Sequence, residues 1–325
     1  MSRNKLTAGI DLGGTNVKTA LCDADGKVIS KDSRPTDAEL GLDAVVARMA
    51  EGFNQVVEDA GLNKADVLAA GIGAPGPMNW QTGVVFAPPN LPGWKDVPLA
   101  GIMTERLGIP VFVDNDANVA CYGEFCAGAG RDVDSLVLLT LGTGIGGGIV
   151  VLGQLLRGPD GTAAEVGHLC VMRDGRQCNC GARGCLEAYA SVTGMQKIAA
   201  EGINEGKTTL LTQLSGGDLD KIDGAMINEA ALKGDAFAAE IMCETGRWLG
   251  TGIGSLINLL NPEMVVLAGG MAAAGDILLE PLRETALAQS FDVPGKRAEV
   301  VLAHLWPDSG VIGAAGVARD RFLQK

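Results

Sequence analysis

The chain has 325 residues, 47% hydrophobic and 20% charged, with 4% aromatics, 47 glycines and a formal net charge of −13. Single cores stop growing near about 250–300 residues, so two globular domains are expected. The acidic balance opposes nucleic-acid binding, which needs a basic face, and leaves an anionic substrate to be held by glycine loops, local dipoles and a metal ion.

Residues 6–10 read as a short apolar strand, followed by Asp11-Leu12-Gly13-Gly14-Thr15-Asn16 and a second alternating run at 17–21. Asp25-Gly26 makes another hairpin after it. Apolar residues at 42, 45, 46, 49, 53, 56 and 57 have a helical period. Residues 67–72 and 111–113 read as strands, and 116–127 as a helix opened by an acidic residue where the dipole favours one. A strand at 136–141 precedes the glycine turn 142–148 and a run at 149–152. The repeat of strand, glycine turn and strand points to two similar lobes facing each other across a cleft. Residues 153–185 read as a glycine-rich loop region, which in a compact domain is usually functional. Helical patterns follow at 187–201, 225–232, 236–260 and 277–289, with strands at 264–268 and 300–303 and a closing helix at 309–322. Alternating strands and helices predict an α/β chain with mixed sheets. The expected division is a small domain of residues 1–117 plus 306–325 and a large domain of 118–305 carrying the loop region.

The polar segment 1–5 carries no apolar leader, and no apolar run is long enough to span a membrane, so a cytoplasmic protein is expected. Its eight cysteines should then stay reduced. His168, Cys178, Cys180 and Cys185 fall within eighteen residues, with Gly181 and Gly184 turning the chain between them. One imidazole and three thiolates complete a tetrahedral Zn2+ shell and leave no position for substrate, which favours a structural site over a catalytic one. Cys22, Cys121, Cys126, Cys170 and Cys243 are most simply buried thiols.

Gly142-Thr143-Gly144-Ile145-Gly146-Gly147 matches a dinucleotide fingerprint, but a strand rather than a helix is expected after it, which excludes a Rossmann site. Gly202-Ile203-Asn204-Glu205-Gly206-Lys207-Thr208 is one residue too short for a P-loop and follows a helical pattern. The turns at Gly13-Gly14-Thr15 and Gly142-Thr143-Gly144 suit phosphate better, because backbone N–H groups in a tight turn form an anion-binding concavity. Gly269-Gly270 ends a third buried strand, and Asp11 could orient Mg2+ through water. Asp116 can act as a general base at a strand-to-helix corner; read alone, the run around Asn115 and Asp116 is better explained as a simple helix cap.

In chain order, Asp11-Leu12-Gly13-Gly14-Thr15, Gly73-Ala74-Pro75-Gly76-Pro77, Asn90-Leu91-Pro92-Gly93-Trp94, Asn115-Asp116-Ala117-Asn118, the glycine run from Gly142, Glu165-Val166-Gly167-His168 and the motif from Cys178 to Glu187 resemble the bacterial ROK family of sugar kinases over essentially the whole length. The resemblance implies a two-lobed actin-like ATPase (ribonuclease H-like) fold with mixed sheets and a cleft between the lobes. It implies ATP-dependent phosphorylation of glucose at the 6-hydroxyl, with Mg2+ and a structural Zn2+. Asp116 would be the base, and Gly76, Asn90, Asn115, Glu165, His168 and Glu187 would hold the sugar. Asp11, Gly13, Gly14, Thr15, Thr143, Gly144, Gly269 and Gly270 would serve the nucleotide. Alternatives are a kinase for mannose, fructose or an N-acetylhexosamine, polyphosphate as donor, and a sugar-sensing binding protein without catalysis. Repressors of the family carry an N-terminal DNA-binding domain, for which a strand starting by Leu6 leaves no room. A homodimer or homotetramer is expected.

Overall fold

The computed structural model describes residues 6–88 and 90–324; the polar segment at 1–5, read above as free of an apolar leader, lies outside them. The chain runs through β1 (Leu6–Leu12), β2 (Asn16–Cys22), β3 (Val28–Pro35), α1 (Leu42–Asp59), β4 (Val67–Ala74), a small hairpin of β5 (Met78–Asn79) and β6 (Val84–Val85), α2 (Leu99–Leu107), β7 (Val111–Asn115) and α3 (Asp116–Ala127). It continues through β8 (Leu136–Leu141), β9 (Ile145–Val151), β10 (Gln154–Leu155), α4 (Glu187–Ala190), α5 (Val192–Asn204), α6 (Leu211–Leu214), α7 (Gly224–Leu232) and α8 (Ala236–Leu260). β11 (Met264–Ala268), α9 (Asp276–Gln289), α10 (Asp292–Arg297), β12 (Glu299–Leu302) and α11 (Ser309–Leu323) complete it.

Two five-stranded sheets share one plan, β3-β2-β1-β4-β7 and β10-β9-β8-β11-β12. The expected duplication is therefore present at the level of strand order. In the first sheet β1 pairs antiparallel with β2 and parallel with β4, and β4 pairs parallel with β7, so the sheet is mixed. β1 and β4 are buried almost throughout, as strands covered on both faces must be. β3 alternates exposed and half-buried positions along its length, the pattern of an edge strand with one wet face. On one side α1 buries Val45, Val46, Met49, Phe53, Val56 and Val57. On the other, α11 packs on β1, β4 and α3. A Cβ at Gly71 of β4 would overlap the Ala314 carbonyl of α11, and one at Gly313 of α11 would overlap the Val119 carbonyl of α3. Helix and sheet thus meet backbone to backbone, which only glycine allows.

By packing, one compact unit comprises Met1–Leu138, Gly148–Ala164 and Ala303–Lys325, and the other Leu139–Gly147 and Glu165–Leu302. These boundaries differ from the expected 1–117 plus 306–325 and 118–305. The α3 helix belongs with the first unit because it packs along α11, and residues 148–164 return to that unit as well. In the second unit, α8 presents Gly246 and Gly250 to the backbone of α9, where Cβ atoms would press on the Leu278 and Leu282 carbonyls.

Three local expectations are corrected. The turn expected over 142–148 closes within Gly142–Gly144, and β9 begins at Ile145. Gly148 lies inside that strand, against Cys121 and the Ala117 carbonyl, with no room for a side chain. The helix expected over 187–201 is two, because Ser191 is extended and its hydroxyl caps α5 by accepting the Gly194 N–H at 3.1 Å. Of the five cysteines expected to be buried, only Cys22 and Cys121 are; Cys126 and Cys243 are half-buried and Cys170 is exposed. No helix among the described residues is long and apolar enough to cross a membrane.

Candidate functional site

In the first unit, two corners carry the expected residues. β7 runs directly into α3, and Asn115 caps the helix by accepting the N–H groups of Ala117 at 2.9 Å and Asn118 at 3.2 Å. Asp116 is the first helical residue, and its Oδ1 accepts the Ala117 N–H at 2.8 Å. It sits at the positive end of α3, where a carboxylate interacts favourably with the helix dipole. Sequence reasoning gave no role to Asp114, which is 1% exposed. Its Oδ1 accepts from the Asn115 N–H at 2.9 Å and Asn118 Nδ2 at 3.1 Å, and its Oδ2 from Arg157 Nε at 2.6 Å. A buried carboxylate held by a guanidinium thus fixes the corner that carries Asp116.

The first glycine turn is strapped by Thr36, a fully buried residue that sequence reasoning also missed. Its hydroxyl donates to the Gly13 carbonyl at 2.7 Å, and its N–H donates to the Thr15 carbonyl at 2.9 Å. Asn90 stands beside this turn, its Cβ 3.3 Å from where a Cβ on Gly14 would lie. Gly76 follows β4 with a φ of +79°. The Asp11 carboxyl lies against Gly310 at the start of α11, and burial raises its pKa while nearby Lys18 lowers it.

In the second unit the expected residues gather around Ile145. Gly142 N–H donates to the Gly144 carbonyl at 3.0 Å, closing the second turn. Val192 N–H and Thr193 Oγ1, at the start of α5, donate to the Gly142 and Thr143 carbonyls at 3.0 and 2.8 Å. Glu187 Oε2 accepts the Ile145 N–H at 2.9 Å, and its Oε1 lies 3.8 Å from Cys178 Sγ. That single carboxylate joins the glycine turn to the cysteine knuckle. Glu165 opens the short 3-10 turn Val166–His168.

The ligand atoms of His168, Cys178, Cys180 and Cys185 all lie within 4.8 Å of one another. Two thiolates about 2.3 Å from one tetrahedral ion stand about 3.8 Å apart. Cys180 and Cys185 Sγ atoms are 3.7 Å apart, and His168 Nδ1 is 3.7 Å from Cys178 Sγ. The donor set and its spacing fit one tetrahedral cation. With no cation, burial pushes the Cys185 thiol up to about 12, so a metal ion is what would hold it as thiolate.

Beside the second turn, a cavity of about 370 Å³ is lined by Leu141, Gly142, Asn228, Met242, Gly270 and Met271 among others. Gly269, at φ +101°, packs its backbone on Leu141 and lets the chain bend into the cavity wall. Asn228 Oδ1 is buried there with no hydrogen-bond partner. An unpaired buried carbonyl oxygen in an apolar pocket suits an exocyclic amino group of a nucleobase. One amide in the helical run at 225–232 gave no signal in the sequence.

Two mixed five-stranded sheets of equal strand order, each with a glycine turn closing its central hairpin, define an actin-like ATPase chain of the sugar-kinase class. The ROK family model matches residues 7–321, and the chain belongs to the ROK family. A glucokinase of Thermotoga maritima is 40% identical over 313 residues, covering 96% of this chain and 97% of its own. The crystal structure of a ROK hexokinase from Thermus thermophilus has a TM-score of 0.83 at 32% identity, covering 98% of this chain and 100% of that one. A ROK family glucokinase from Streptomyces griseus, solved with glucose and AMPPNP, has a TM-score of 0.80 at 35% identity, covering 97% of this chain and 99% of its own.

Proposed function

We propose that this chain is an ATP-dependent glucokinase, transferring the γ-phosphoryl group of ATP to the 6-hydroxyl of glucose. The observation that carries this reading is the β7–α3 corner, where Asp116 opens a helix on a scaffold locked by Asp114 and Arg157. Asp116 takes the proton of the sugar hydroxyl as the general base. Asn115, with Oδ1 committed to the cap, has its NH2 group to donate to a sugar oxygen. Glu165, His168, Glu187, Asn90 and Gly76 serve the remaining hydroxyls. The N–H groups of the two glycine turns, with Thr15 and Thr143, hold the phosphates. Asn228 and the backbone at Gly269-Gly270 hold the adenosine. Asp11 would hold Mg2+ through water beside the phosphates, where the ion would offset the charge of phosphoryl transfer. His168, Cys178, Cys180 and Cys185 would hold Zn2+, which would fix the loop and the His168 tautomer and leave Nε2–H for the sugar. The assembly proposed is a homodimer or homotetramer in the cytoplasm.

A coupled assay of ADP release over a panel of hexoses tests this reading. Glucose should give the highest kcat/KM, mannose less because its 2-hydroxyl is inverted, and N-acetylglucosamine little, because an acetamide must fit where the 2-hydroxyl partner sits. A higher kcat/KM for an N-acetylhexosamine would replace the substrate and keep the kinase. Sugar binding without ADP release would make the chain a sugar sensor.

A further inference from the structure

Away from the two glycine turns, the first unit holds a cavity of about 480 Å³ whose lining includes Trp80, Gln154, Arg157, Asp320, Arg321 and Gln324. Two guanidiniums converge on one indole there. The Arg157 and Arg321 carbons lie 4.8 and 5.1 Å from the Trp80 ring centre, and Arg321 also lies 4.7 Å from that of Phe112. The carboxylates nearby are taken. Asp114 pairs with Arg157 at 2.6 Å, and Asp320 accepts from Arg319 at 2.9 Å and from the Tyr122 hydroxyl. Among the described residues Arg321 has no carboxylate in ion-pair contact; its Nη1 donates to the Trp80 carbonyl at 2.7 Å. A half-buried fixed cation without a counter-ion is costly, the more so beside a second guanidinium. In a chain of net charge −13 such a local surplus of positive charge stands out.

We infer that this cavity binds the phosphate group of a small metabolite, held by Arg321 and Arg157. Each guanidinium has N–H donors beyond the ones its present partners use, and the fork matches phosphate oxygens. The exposed amides of Gln154 and Gln324 supply donors and acceptors for a hydroxylated remainder, and the volume accommodates a sugar phosphate. Arg157 also connects the cavity to the β7–α3 corner. A dianion competes with Asp114 for the Arg157 guanidinium, and Asp114 holds Asn115 and Asn118 on either side of Asp116. Occupancy therefore loosens the corner and lowers turnover; that effect rests on the kinase reading, whereas binding does not.

The test is isothermal titration calorimetry on the full chain with inorganic phosphate and with glucose 6-phosphate. Glucose and a non-hydrolysable ATP analogue are present in excess to occupy the nucleotide and sugar sites. Wild type should bind at least one probe. Tighter binding of glucose 6-phosphate assigns the site to a sugar phosphate, and equal affinities assign it to free phosphate. Arg321→Gln should weaken binding about tenfold or more, the scale of one lost charge-assisted hydrogen bond. Arg321→Lys, which keeps the charge and disturbs the helix least, should retain part of it. Turnover of Arg321→Gln without added anion should match wild type, while its inhibition by the bound probe should disappear. No heat from either probe in the millimolar range, or unchanged affinity in both variants, would overturn the inference.

Discussion

At the scale of single residues, the corner at Asp116 and the half-buried Asp11 make opposite demands. Asp116→Asn keeps the cap made by Asn115 and a side chain of the same size, so folding and sugar affinity should survive. Its kcat should fall about 10²–10⁴-fold, the usual scale for a general base. A coupled assay beside a glucose titration separates the two, and near wild-type kcat would return Asp116 to helix capping. Asp11 carries a burial cost instead. Its folded pKa is raised, so the native state favours the protonated form, and stability is lost as pH rises from about 4 through the folded value. Without nucleotide, Asp11→Asn should therefore melt above wild type at pH 7, with the gap closing toward pH 4, while activity falls. Asn115 and Asp116 stood out in the sequence because a strand run ends where capping residues begin. Asp114, Thr36 and Asn228 did not, because each acts through a partner far along the chain or through a void that no local pattern records.

At the scale of elements, the cysteine knuckle and the second glycine turn form one device. Removing the metal, or Cys180→Ser, should raise amide exchange over residues 165–187, because structural zinc contributes roughly 10 kcal/mol or more to local folding in small peptides. The Glu187–Ile145 hydrogen bond extends the expectation: protection should also fall at Ile145, which opens β9 just after the glycine turn, while the β7–α3 corner stays protected. Metal analysis finding no zinc in active protein would sink the zinc assignment. The spacing of His168, Cys178, Cys180 and Cys185 was legible because the four ligands are local. Elsewhere legibility followed how each element is stabilised. α8 and β11 show a long apolar period and a short apolar run, and their expected bounds stand. The hairpin at Asp25-Gly26 was read and is present, but the extent of β3 was not, because its sequence VISKDSRP is polar on a wet edge and its pairing with β2 supplies the order. α2 went unread because a glycine interrupts its nine residues; packing of Leu99, Met103 and Leu107 sets it.

At the scale of the whole molecule, the repeated glycine turns announced two sheets of one plan, and the alternation of strands and helices announced their mixed character. The return of the closing helix to the first unit was expected, but the return of residues 148–164 and the place of α3 there were not, because α3 is held by packing along α11, whose reach back across the chain no local pattern records. That reach has a consequence in time. β1 and β4 leave the ribosome early, yet at Gly9 and Gly71 their face packs on α11, which follows every other described element in chain order. Domains generally fold as units, N-terminal first, during synthesis. Here the first unit has to wait, with its strands exposed, while the intervening residues are translated. Nascent chains halted before Ser309 should therefore be cut readily within β1–β7, and should gain resistance there only once α11 has cleared the exit tunnel. Codons that slow translation ahead of α11 would lengthen that exposure, so the yield of active protein should depend on how fast the final stretch is read.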